Sequence, residues 1–228
     1  MVGFETQPET VSFAHWEFLN EEGWAKMAKL YFRYGAMNCG KSAQLLQVAH
    51  NYDEKGMKIL LIKAQLDTKG DDKIVSRTGI ARKVDFLVDE NQSIKDLVDA
   101  LDDKVAAILV DEAQFLTRAQ VDELYSLTKP IHPESHKIPV ICYGLRGDFM
   151  TELFEGSARL LALADAIEEL KTICACGKKA TLNMRFRDGV PIFEGAQVEI
   201  EGDKAPITYS SACGECYLRI KNEQTKKA

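Results

Sequence analysis

The sequence predicts an α/β fold with a mainly parallel sheet, followed by a small cysteine-bearing lobe. Three observations predict it. Short apolar runs alternate with stretches of helical periodicity up to about Leu170, the pattern of successive strand, helix, strand units. Between the first run and the first helical stretch lies Gly35-Ala36-Met37-Asn38-Cys39-Gly40-Lys41-Ser42, whose spacing lets successive backbone N–H groups turn inward on an anion with a lysine beside it. Near the end, Cys174-Ala-Cys176 and Cys213-Gly-Glu-Cys216 bracket a glycine-broken span of alternating character.

Length and charge narrow the function classes. A chain of 228 residues accommodates one sizeable domain, or one domain with a small appendage. Lys+Arg number 29 against 35 Asp+Glu, a formal charge of -6, which argues against a general binder of nucleic acid or anionic membrane. A small anionic ligand in one local pocket stays compatible with that balance. No apolar run is long enough to span a bilayer, and no basic segment followed by an apolar one opens the chain, so a cytoplasmic location is expected.

Taken in order, residues 1–26 are acidic and aromatic without clear periodicity and precede a second methionine, Met27; they are expected to be a dispensable extension. Leu30 to Tyr34 reads as a strand. From Ser42 a helix carries Leu45, Leu46, Ala49 and Tyr52 on one face and ends at Gly56, so its N-terminus adds unpaired N–H groups and a positive dipole end to the anion site. Met57 to Lys63 is a continuous apolar strand, which makes the unit parallel. Asp67 to Lys73 and Ser76 to Arg82 are polar and read as loop at the carboxyl edge of the sheet, where ligands sit. Ser93 caps a helix to Asp102, and Ala106 to Val110 is a strand that delivers Asp111 and Glu112 at its end. Thr117 caps a further helix through about Leu127, Pro139 to Gly144 is a strand, and Ser157 to Ala164 is helical after a turn-rich segment containing Phe149 and Phe154. The domain organisation expected is therefore a nucleotide-binding domain over 27–170, a zinc-binding lobe over 171–221 and a disordered polar tail over 222–228.

The chemistry follows from two motifs together. A phosphate loop alone arises by chance in many chains. Paired with a hydrophobic strand ending in Asp-Glu, it implies a nucleoside triphosphate with Mg2+: Lys41 against the β- and γ-phosphates, Ser42 and Asp111 on the metal, Glu112 as a base. The base activates either water, as in an ATPase, or a substrate hydroxyl, as in a kinase, and the residues do not choose between them. Cys174, Cys176, Cys213 and Cys216 can surround a structural zinc; free buried thiols or a redox pair are the other readings, and neither accounts for two pairs bracketing a loop-rich span. A four-sulfur site is closed, so it receives no catalytic role.

Five stretches, Tyr34 to Ser42, Leu109 to Leu116, Cys142 to Phe149, Glu169 to Gly177 and Tyr209 to Cys216, together resemble the type II thymidine kinases, the cytosolic, zinc-bearing class. The resemblance runs in order from Met27 to about Arg219. It implies a RecA-like phosphate-loop domain and a zinc lobe whose lasso-like loop closes over thymidine. It implies ATP-dependent phosphorylation of the thymidine 5′-hydroxyl for nucleotide salvage, with a RecA-type ATPase as the alternative. By similarity Glu112 is the base, with Lys41 beside it, and the ATP site spans Gly35, Ala36, Met37, Asn38, Cys39, Gly40, Lys41, Ser42, Asp111, Glu112, Ala113 and Gln114. The nucleoside pocket it implies comprises Met37, Asp67, Phe115, Leu145, Phe149, Phe154 and Tyr209, with Val198, Ile200 and Gly202 from the lasso. It further implies ATP, Mg2+ and structural Zn2+, inhibition by thymidine triphosphate, and a homotetramer. Lys69, where many members carry arginine, and the C-x-C spacing depart from the family pattern.

Overall fold

The computed structural model describes residues 28–64, 72–129, 136–198 and 206–226. The extension over 1–26, and with them Asp67, Lys69, Ile200 and Gly202, lie outside the described residues.

Six parallel strands form the central sheet: β1 (Leu30–Tyr34), β2 (Ile59–Ala64), β5 (Phe86–Val88), β6 (Ala107–Asp111), β7 (Val140–Gly144) and β8 (Ala166–Glu169), in the order β5-β2-β6-β7-β1-β8. The apolar runs bury both faces. On one face Leu30, Phe32, Leu60, Ile62, Ile108 and Val110 pack with Ile94 and Val98 of α2 (Ile94–Asp99), Val121, Leu124 and Leu127 of α3 (Arg118–Thr128), and Leu160 of α4 (Glu155–Leu163). On the other, Ile59, Leu61, Ala107, Leu109 and Tyr143 pack with Leu45, Leu46 and Ala49 of α1 (Lys41–Asp53). Alternate residues of each strand thus feed opposite layers, the arrangement that a parallel sheet between helices requires. β7 lies between β1 and β6, so the strand ends carrying the phosphate loop and Asp111-Glu112 stand one strand apart on the same carboxyl edge.

Two caps expected from sequence are present. Ser93 Oγ accepts from the Asp96 amide at 3.1 Å, and Thr117 forms a capping box with Gln120. The stretch expected as loop between Lys73 and Lys83 is instead a hairpin of β3 (Lys73–Val75) and β4 (Ala81–Lys83). It forms because Ile74 is fully buried beside α1, and because Ser76 Oγ closes the turn on the Ile80 carbonyl at 3.0 Å. Strands of three residues carry too little alternation to be read from sequence.

The lobe holds two small sheets: β9 (Thr172–Ile173) with β10 (Lys179–Ala180), and β11 (Leu182–Arg187) between β12 (Val190–Ile192) and β13 (Ile207–Ala212). β11 and β12 are joined at Asp188-Gly189, both at positive φ, the two-residue turn that matches strand twist. Its core is thin: Cys174, Ala180, Met184, Ala212, Cys213 and Tyr217. The disordered tail expected from residue 222 is corrected by α5 (Gly214–Thr225). Its residues are polar, but Tyr217 and Ile220 fix the helix to the lobe, and the Lys, Glu and Gln that follow are good helix formers. Among the described residues no helix is long and apolar enough to cross a membrane.

Candidate active site

The phosphate loop occupies Gly35 to Gly40 between β1 and α1. Its tightness demands glycine at Gly35, where a Cβ would lie 2.5 Å from both Cys39 Sγ and the Leu170 carbonyl oxygen. Gly40 caps α1 in the left-handed conformation at φ 85°, which turns the first helical amides toward the loop interior. Lys41 Nζ folds over that loop, 3.3 Å from the Ala36 carbonyl oxygen, 3.4 Å from that of Gly35 and 3.7 Å from Cys39 Sγ.

At the end of β6, Asp111 is 4% exposed and Glu112 follows at φ 52°, a left-handed backbone for a residue other than glycine. Burial first, and the neighbouring Glu112 charge second, push the Asp111 carboxyl up to about 7. Such a carboxylate is the donor a hard divalent cation suits, since the cation restores the charge that burial disfavours. The Glu112 carboxylate accepts from Gln114 Nε2 at 2.6 Å, and Gln114 Oε1 in turn accepts from the Leu145 amide at 3.0 Å. Gln114, 2% exposed, therefore ties the acid to the segment that leaves β7. Ala113, also assigned to the ATP site from sequence, has its side chain fully buried in the core beside the sheet.

Between these strand ends and the lobe lies a cavity of ≈ 390 Å³. Seven of the residues expected in a nucleoside pocket line it: Met37, Phe115, Leu145, Phe149, Phe154, Val198 and Tyr209. Glu112 lines it as well, and Met37 belongs at once to the cavity and to the phosphate loop. Phe115 and Phe154 meet edge to face, with centroids 5.7 Å apart.

Sequence reasoning missed Asp148, Asn183 and Gln197, which supply polar groups to this largely apolar cavity. Asn183 is 6% exposed; its Oδ1 accepts from the Met37 amide at 2.8 Å, and its Nδ2 donates to the Gly147 carbonyl at 2.8 Å. One side chain of the lobe thus holds the phosphate loop and the β7 loop together. The alternation of β11 marks Asn183 as facing away from the lobe core, but a polar residue on that face reads as solvated until the fold puts a wall opposite.

In the lobe, the sulfurs of Cys174, Cys176, Cys213 and Cys216 all lie within 4.8 Å of one another. The backbone amides of Cys176 and Cys213 draw the Cys174 thiol down to about 6, while hydrogen bonds that Cys216 donates to the other three sulfurs, Cys176 first, hold it up at about 12. Four thiols this close cannot all ionise without a cation among them, so the donor set fits a tetrahedral soft metal.

A family model described as thymidine kinase matches residues 28–217. This chain belongs to the thymidine kinase family. It is 44% identical over 195 residues to the thymidine kinase of Lactococcus lactis subsp. lactis, covering 85% of this chain and 98% of that one. It is 43% identical over 204 residues to that of Photorhabdus laumondii, covering 88% and 97%. With that of Haemophilus influenzae it shares 45% over 197 residues, 83% of this chain and 100% of the relative. The family match takes in both the glycine loop after β1 and the fourth cysteine, so the sheet and the lobe belong to one enzyme architecture and a free-standing ATPase is not favoured.

Proposed function

We propose that this protein transfers the γ-phosphoryl group of ATP to the 5′-hydroxyl of thymidine, giving thymidine monophosphate and ADP. One observation carries the reading: a carboxylate, Glu112, and a phosphate-loop residue, Met37, line the same mainly apolar cavity, whose size suits one nucleoside. A nucleoside with its base among Phe115, Phe149, Phe154 and Tyr209 turns its sugar hydroxyl toward Glu112. Glu112 takes the proton of that hydroxyl, the oxygen forms a bond to the γ-phosphorus, and the bond from phosphorus to the β,γ-bridging oxygen breaks to release ADP. Gln114 orients Glu112 through its 2.6 Å bond, and Lys41 neutralises charge on the phosphates. Ser42 and Asp111 are the residues to hold Mg2+, which when bound shields the triphosphate charge.

The four cysteines hold a structural Zn2+ that gives the thin lobe its shape. Thymidine triphosphate, with its base in the cavity and its phosphates along the loop, occupies both substrate sites and so inhibits. A homotetramer in the cytoplasm, serving nucleotide salvage, completes the reading. Incubation with γ-labelled ATP and a panel of nucleosides tests it: label appears in thymidine monophosphate. ATP consumption at the same rate with and without nucleoside overturns it in favour of an ATPase.

A further inference from the structure

Strand β11 sends its residues to two destinations. Leu182, Met184 and Phe186 pack into the lobe core, while Asn183 and Arg185 face the side on which the cavity lies. Arg185 is 1% exposed, the largest of the fully buried side chains, and does not itself line the cavity. Its guanidinium is 3.7 Å from the centroid of the Phe149 ring and 5.5 Å from that of Tyr209. Nη1 donates to the Ala196 carbonyl and Nη2 to the Gln197 carbonyl, each at 2.8 Å, and Nε donates to Tyr209 Oη at 3.1 Å. Three separate chain segments therefore converge on one planar cation, and each contributes a cavity-lining residue: Phe149, Gln197 and Tyr209.

The Gln197 segment is held from the opposite side too. Gln197 Nε2 donates to Asp148 Oδ2 at 3.1 Å and to the Leu153 carbonyl at 3.3 Å. Asp148 is itself fixed, its Oδ1 accepting from the Met150 and Glu152 amides at 2.8 and 2.9 Å. An apolar side chain fills a core at lower desolvation cost than a guanidinium does; what it lacks is a rigid fork of donors that meets two successive carbonyls while stacking on aromatic faces.

We propose that Arg185 is the positioning residue of the thymidine pocket, fixing the Ala196–Gln197 backbone and the Phe149 and Tyr209 rings as one wall. This rests on the assignment of thymidine to the cavity. The wall governs nucleoside affinity through Arg185 without contact between Arg185 and nucleoside, and the phosphate loop, braced separately by Asn183, is unaffected.

The test measures kcat and both KM values in the full-length protein for Arg185→Met, Arg185→Lys and Gln197→Ala. Arg185→Met raises the thymidine KM about tenfold or more, with the ATP KM within about twofold of wild type. Arg185→Lys keeps the charge, loses the fork and raises the thymidine KM nearly as far. Restoration of the wild-type thymidine KM by lysine, or a parallel rise in the ATP KM, overturns the proposal. If Arg185→Met fails to fold, judged by lost zinc and circular dichroism, the decision passes to Gln197→Ala and its combination with Arg185→Lys. Gln197→Ala raises the thymidine KM about threefold, and the two changes together raise it by less than the product of their separate effects. A full product shows that they do not act on one wall and overturns the proposal. Wild-type enzyme that transfers no label to thymidine refutes the functional assignment instead, so the two failures are distinguishable.

Discussion

The phosphate side of the site is assembled from two contiguous runs, Gly35 to Ser42 and Asp111 to Gln114, which leave one carboxyl edge of a parallel sheet. The cavity beside it is lined by single side chains drawn from Met37 to Tyr209, most of them from the sheet domain and the rest, Asn183, Gln197, Val198 and Tyr209, from the lobe. The first is a local device whose geometry follows from backbone conformation: loop amides and a helix terminus are the groups it offers to a phosphate. The second is a tertiary device, and its polar members are fixed by hydrogen bonds between distant segments. The residues proposed for the chemistry are thus contiguous in the chain, and those proposed for substrate choice are dispersed along it.

Substitutions on the two sides separate accordingly. The largest effect is expected at Glu112→Gln, which removes the proposed base but preserves the shape of the side chain: kcat falls by about 10² to 10⁴, with nucleotide affinity kept, as read by steady-state kinetics and nucleotide titration. Near-normal turnover removes Glu112 from the role. Cys213→Ser comes next. Loss of one of the four sulfurs is expected to release the proposed zinc, loosen the lobe and raise the thymidine KM before the sheet domain melts, so metal analysis and a two-step thermal transition report it. Stoichiometric zinc in that variant refutes the ligand assignment.

Asn183→Ala probes the seam between the sides. It leaves the Met37 amide and the Gly147 carbonyl without their partner, at about 1–3 kcal/mol for a buried unsatisfied group. Both KM values then rise, in contrast to the Arg185 variants, and an unchanged ATP KM shows that the phosphate loop needs no brace from the lobe. The smallest effect belongs to Thr117→Ala, which removes the cap of α3 at a residue that does not line the cavity and costs about 1 kcal/mol. Its melting temperature falls by a few degrees with both KM values intact; a shifted KM contradicts the separation.

The same division explains what the sequence disclosed. The parallel sheet, the caps at Ser93 and Thr117 and the phosphate loop were legible because each depends on residues close in the chain. The edge strands β5 and β8 and the β3–β4 hairpin were not, being too short to establish a period. Helix α5 was hidden by its polar sequence, as its anchors Tyr217 and Ile220 are few and their partners lie elsewhere. In the cavity, the apolar lining was named largely through family resemblance, whereas Asp148, Asn183 and Gln197 were missed. Each is an ordinary polar residue until its hydrogen-bonding partner, more than thirty residues away in the chain, is brought beside it.

The backbone at Glu112 lies at φ 52°, a region that costs a side-chain-bearing residue about 1 kcal/mol and that glycine enters freely. That strain is offset by the bond the carboxylate accepts from buried Gln114 at 2.6 Å, whose loss leaves a donor unpaired at about 1–3 kcal/mol. Glycine at 112 relieves the backbone and orphans Gln114 together, so Glu112→Gly is expected to melt no higher than the wild type, which a thermal-unfolding comparison of the two checks.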